Sequence, residues 1–241
     1  MFGNSPKITL WHLKGIPIRL DATFILVPLF FYQGLSLNLE VEKWPAVAAG
    51  TAGLFLSILL HEIGHALTAK QQQVGVREIV VGGFYGYANL KRQAIPRKVL
   101  IRILAAGPFA NLAVFLVLWL ALSVASPSEM SLRDLTHPVG STLGWPGETA
   151  RVLALVNLAM FLFNLLPAFP LDGGRILGLL LDRNISAQAS NRIVAGLGIV
   201  VGAAVVLFGA GLSVILAVMG IMIIMINLRR LRQRSAARRQ S

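Results

Sequence analysis

Cysteine is absent from this 241-residue chain. That excludes a disulfide framework, a thioether-attached haem and any cysteine-liganded zinc site. Acidic residues are also scarce, ten against 22 lysines and arginines. Charged residues make up only 13% of the chain, whereas a soluble domain carries about one quarter. Hydrophobic residues reach 56% and the mean hydropathy is +0.72, the balance of a membrane protein. The opening "MFGNSPKITLWHLKGIPIRL" lacks the basic start, apolar centre and small-residue cleavage site of a secretory signal in that order. The first apolar run is therefore read as a retained membrane anchor.

Long charge-free runs are what the chain does have: 22–39, 44–60, 103–128, 152–171 and 193–228. A crossing needs about 20 apolar helical residues. The last run is too long for one helix, and "FGAGL" places a glycine-rich turn near its middle. The expectation is an all-α polytopic membrane protein, one transmembrane domain over 1–241. Six spans fall at about 20–39, 44–69, 99–126, 150–181, 192–208 and 211–229. The intervening outer segments hold Lys43, Arg133 and Arg151 with Glu40, Glu42, Glu129, Asp134 and Glu148. Nearly all other basic residues lie on the opposite side, which the positive-inside rule makes cytoplasmic, with both termini there. The tail over 230–241 follows a span directly, so its arginines suit anionic lipid and not nucleic acid.

One segment is neither span nor simple loop. "VREIVVGGFYGYANLKRQ" (76–93) is rich in β-branched and aromatic residues and carries glycines at 82, 83 and 86. It reads as a β-hairpin or small sheet following the second span.

The second span contains "HEIGH". Residues four apart share a helix face, so His61 and His65 can grip one Zn²⁺ while Glu62 stands beside them to take a proton from water. A buried carboxylate costs about 2.5–3.5 kcal/mol on insertion scales, so three polar groups together at mid-span require a partner. A catalytic zinc also needs a third protein ligand and an open position. Outer-segment acids are excluded by location. Asp21 and Asp182 sit at predicted span ends and Glu78 in the hairpin, which leaves Asp172. Its setting is "FNLLPAFPLDGGR", where Pro167 and Pro170 break the helix and Gly173 and Gly174 permit close approach of another backbone. The alternative for this stretch alone is a proline-terminated helix with Asp172 capping the next one.

Together these stretches resemble the site-2 protease family of intramembrane zinc metalloproteases, whose signature pairs HExxH on one span with an NxxPxxPLDGG-like stretch on a later one. Asn164, Pro167, Pro170, Leu171, Asp172, Gly173 and Gly174 match the latter. "GIPIRL", the glycine-bearing hairpin and "AAGPFANL" (105–112) extend the likeness over nearly the whole chain. The resemblance implies one Zn²⁺ per chain held by His61, His65 and Asp172, with Glu62 as catalytic base and Asn164 holding the substrate backbone or oxyanion. It further implies transmembrane-protein substrates in the lipid bilayer, and a hairpin edge able to pair with an unwound substrate. Relatives often carry PDZ or CBS domains, and neither fits within this chain, so a compact form is expected. Relatives often have histidine where this chain has Asp21.

Rival readings are a membrane peptidase trimming lipidated C-termini, whose third ligand would be a glutamate, and a zinc transporter or zinc-stabilised scaffold without proteolysis. A transporter would favour several ligand stations, and His12 and His137 lie in terminal or outer segments. Gly198 and Gly202 are read as a close helix–helix contact. The methionines of "MGIMIIM" are read as packing or lipid-facing surface.

Overall fold

The computed structural model describes residues 5–25, 27, 44–83, 85–91, 93–125, 144–209 and 214–237. The body of the first expected span, and the connection between the third and fourth, lie outside these residues.

Four strands come first to notice: β1 (Lys7–Leu13), β2 (Ile16–Asp21), β3 (Val76–Val81) and β4 (Gly86–Leu90). They form one sheet in the order β1-β2-β3-β4, with β2 and β3 parallel and the outer pairs antiparallel. The expected hairpin after the second span is thus half of a larger sheet. Its other half is an N-terminal hairpin absent from the six-span reading. Lys14 and Gly15 link β1 to β2, both at positive φ (50° and 83°), the two-residue turn that matches strand twist. "IPIRLD" alternates at its start, with Ile16 and Ile18 buried while Pro17 and Arg19 are not, and Asp21 is buried at the strand's end. Leu20 and Asp21 are strand and Ala22–Ile25 is a 3₁₀ turn, so the expected start of the first span at 20 is corrected. A strand that pairs on both sides, with β1 and β3, cannot also begin a helix.

Six α-helices follow among the described residues: α1 (Trp44–Gln71), α2 (Arg97–Ala125), α3 (Gly144–Asn164), α4 (Asp172–Leu181), α5 (Ala187–Gly209) and α6 (Val214–Ala237). Four contain stretches long and apolar enough to cross a membrane: Val47–Gln71, Arg97–Ala125, Gly144–Asn164 and Ala187–Gly209. Large apolar side chains such as Leu116, Val117, Leu120 and Val124 stand exposed along α2, as lipid-facing residues do. The single span expected over 150–181 is instead α3 and α4, separated by seven residues without helix. The two prolines account for this, since each lacks a donor and the first disfavours helix in the residue before it. The long run at 193–228 does divide into two helices, and α6 continues through the basic stretch to Ala237.

The chain divides into two compact units, Met1–Ile95 with Ala106–Phe161 and Pro96–Ala105 with Leu162–Ser241. In the first, the sheet lies on α1 through β3 and β4. Ile16, Ile18, Ile79 and Val81 of the sheet share a buried core with Leu54, Ile58 and Ala66 of α1. Glycines bring the helices close: a Cβ on Gly64 would stand 2.7 Å from Ala106 O. In the second unit α5 and α6 pack backbone to backbone, with the Cβ position of Gly202 at 2.9 Å from Gly220 O and that of Gly220 at 2.8 Å from Gly202 O. Small residues allow this approach, as the Gly198–Gly202 spacing implies.

Candidate metal centre

Helical periodicity puts Ser57, His61, Glu62 and His65 on the inner side of α1, and all four are buried. The two imidazoles turn toward each other, with His61 Nε2 and His65 Nε2 3.1 Å apart. Two nitrogens bound tetrahedrally at about 2.0–2.1 Å to one zinc stand about 3.3 Å apart, so the pair has the spacing of ligands to a shared ion. Space beside them is kept by Gly107 of α2. A Cβ there would lie 2.3 Å from His65 Nε2 and 2.7 Å from His61 Nε2. The site thus fits a zinc ion in donor type, spacing and clearance.

Glu62 faces a different neighbour. The Cβ position of Gly86, the first residue of β4, lies 2.6 Å from Glu62 Oε1 and 2.8 Å from its Cγ. Among the described residues β4 is an edge of the sheet, so the carboxylate stands beside a strand whose outer side pairs with no described strand.

Behind His61 lies a polar group that motif reading passed over. His61 Nδ1 is 2.6 Å from Asn111 Oδ1, and Asn111 Nδ2 donates to Asn157 Oδ1 at 2.8 Å. Both asparagines are wholly buried. Asn111 belongs to "AAGPFANL", so a signal was present; Asn157 sits in an apolar run with no motif to mark it.

In the second unit the proline-rich stretch is held by tight turns, Ala168 N–H donating to Leu166 O at 2.8 Å and Leu171 N–H to Ala168 O at 2.9 Å. Asn227 of α6, also wholly buried, donates from Nδ2 to Phe169 O at 2.7 Å and anchors it. Pro167 is half-buried and Pro170 exposed, while Asn164 ends α3. The cap of α4 is Leu171, so Asp172 is the first helical residue and not the cap. Asp172 is buried, its negative charge favoured by the helix N-terminus, and Arg175 one turn on is 3.8 Å from its Oδ1. Both following glycines are sterically required. A Cβ on Gly173 would lie 2.1 Å from Leu165 O, and one on Gly174 would lie 2.5 Å from Ala168 O.

Two acids set aside in the sequence have structural partners. Glu78 pairs with Arg19 across β2 and β3 at 2.9 Å. Asp21 is wholly buried and accepts hydrogen bonds from Ser5 Oγ, from Thr23 N–H at 2.9 Å and from Thr23 Oγ1 at 2.7 Å. Burial pushes its carboxyl up, but those bonds and one from Tyr85 outweigh it and bring it down to about 2.

The model of peptidase family M50 matches residues 49–209. A protein of Methanocaldococcus jannaschii named as a zinc metalloprotease is 33% identical over 222 residues, covering 92% of this chain and 58% of its own length. Among solved structures, a site-2 protease from Methanocaldococcus jannaschii superimposes with a TM-score of 0.64 at 28% identity, covering 94% of this chain and 95% of that one.

Proposed function

This chain belongs to peptidase family M50, and from that premise we propose that it is an intramembrane zinc metalloprotease. Its reaction is hydrolysis of peptide bonds in or near the transmembrane segments of membrane-protein substrates. The observation that carries the reading is the buried pair of imidazoles, 3.1 Å apart, with Glu62 one residue along the same helix. A mere core histidine pair would not need a glycine opposite both ring nitrogens.

His61, His65 and Asp172 each offer one ligand atom, and we assign the three to one Zn²⁺ per chain. Zinc bound there supplies Lewis acidity, polarising a carbonyl and acidifying water. Glu62 accepts the proton of the attacking water and returns it to the leaving amine. Asn164 is assigned to hold the substrate backbone or the developing oxyanion through its amide donor.

A helical substrate must be unwound before its peptide bond can be attacked. The outer side of β4 offers backbone donors and acceptors to an extended segment, and Gly86 brings that edge against Glu62. Pairing there would hold the scissile region extended at the carboxylate.

We assign the protein to a membrane, with both termini on the cytoplasmic side. The exposed apolar surface of α2 and the arginines on the last turns of α6 support this. Quantitative proteomics of cells carrying Glu62→Gln tests the reading. Membrane-anchored proteins should accumulate in uncut form relative to wild type; an unchanged membrane proteome would count against proteolysis.

A further inference from the structure

Ser57, Asn111 and Asn157 are buried, come from three different helices, and have no place in the chemistry above. We propose that Asn111 and Asn157, oriented by the backbone carbonyls of Leu153 and Ser57, form a directional relay that fixes His61 in the tautomer protonated at Nδ1, with Nε2 unprotonated. Asn111 and Asn157 are therefore positioning residues. The statement about the ring rests on geometry alone; its consequence for metal affinity rests on the zinc reading.

The direction follows from atoms that can only accept. Ser57 Oγ donates its single proton to Gly53 O at 2.8 Å. The hydroxyl oxygen is left as an acceptor, and Asn157 Nδ2 meets it at 2.8 Å. The second N–H of that amide goes to Leu153 O at 2.8 Å. Turning the Asn157 amide over would press its oxygen against the Leu153 carbonyl, which cannot donate, so Oδ1 has to face Asn111.

The same logic passes to the next residue. Asn111 Nδ2 donates to Asn157 Oδ1 at 2.8 Å and to Ser57 O at 3.2 Å, again acceptors only. Asn111 Oδ1 is thereby turned to His61 Nδ1 at 2.6 Å. An amide oxygen cannot donate, so the proton must sit on the imidazole. Protonation at Nδ1 leaves Nε2 unprotonated, on the side where His65 Nε2 lies 3.1 Å away. Carbonyls on α1 and α3 thus decide where a histidine on α1 carries its proton. Partners of this kind on a ligand's far nitrogen are worth about 10–100-fold in metal affinity.

The test uses the full chain in lipid nanodiscs with ¹⁵N-labelled histidine, feasible because there are only four. Ring-nitrogen shifts in metal-free protein at pH 8 report the tautomer, and His61→Gln identifies the signal. Wild type should show His61 as a single Nδ1–H form. Asn157→Leu, which touches neither histidine, should give mixed tautomers and weaken Zn²⁺ binding about tenfold in chelator competition. Ser57→Ala leaves Leu153 O and Ser57 O in place, so its tautomer should stay Nδ1–H and its affinity within about twofold. A wild-type ring protonated at Nε2 would overturn the proposal without any variant being made. So would a folded Asn157→Leu with an unmixed Nδ1–H ring and unchanged affinity. If the tautomers behave as stated but wild type binds no zinc, the relay stands and the metal assignment falls.

Discussion

Gly107 lies against His65 so closely that a single methyl group would collide with the ring, its carbon 2.3 Å from Nε2. The two residues are on different helices, α1 and α2, and the clearance between them is the room a metal ion would use. Gly107→Ala should therefore lower zinc stoichiometry well below one per chain and reduce cleavage at least tenfold. Zinc content by mass spectrometry, with far-UV circular dichroism to show retained helix, checks this. Normal zinc content in a folded Gly107→Ala protein would contradict it.

Gly86 meets Glu62 in the same way from the sheet. Gly86→Val adds bulk at both the carboxylate and the start of β4, so it should reduce kcat by tenfold or more with zinc content retained. The comparison with Gly107→Ala separates the two sides of the site: one variant disturbs the imidazole pair, the other the Glu62 carboxylate and the strand edge. Paired zinc and rate measurements on both proteins check it.

Much of this was legible because chemistry imposes spacing. HEIGH announces itself, since two imidazoles four residues apart share a helix face and can meet one ion. The break at Pro167 and Pro170 was also legible, though its extent was not. The seven-residue gap depends on turns closed by Leu166 O and Ala168 O and on the Asn227 anchor, 58 residues away in sequence. The N-terminal hairpin escaped for a similar reason. Its period-two alternation is short, and its stability comes from β3, a strand more than 50 residues later. Asn157 escaped entirely, because one amide in an apolar run has no pattern until its partners are in place.

Gly173→Ala should destabilise the second unit. Its added carbon would stand 2.1 Å from Leu165 O, a backbone atom that cannot swing aside. Overpacking of this kind costs about 1–3 kcal/mol. Thermal unfolding in detergent should show a lowered midpoint, and zinc content should fall with it if Asp172 is a ligand. An unchanged midpoint would mean the turn before α4 adapts freely.

Asp21 gives a pH signature. Its carboxyl is brought down to about 2 from an ordinary 3.8, so the folded state favours the ionised form. The stabilisation is fully present above about pH 4 and is lost as pH falls toward 2. Hydrogen exchange of the β1–β2 amides should show protection that weakens across this window. Asp21→Asn should be less protected at neutral pH and nearly flat between pH 4 and 2. Equal slopes in the two proteins would contradict the assignment.

The central claim is that Glu62 serves as the base for peptide hydrolysis at a zinc held by His61 and His65. Wild type and Glu62→Gln, each reconstituted with a single-span membrane substrate, provide its most direct test. Cleavage rate and zinc content should be measured on the same preparations. The account predicts about one zinc per chain in both, with cleavage in the variant reduced at least a hundredfold. Full cleavage by Glu62→Gln with zinc retained would contradict it.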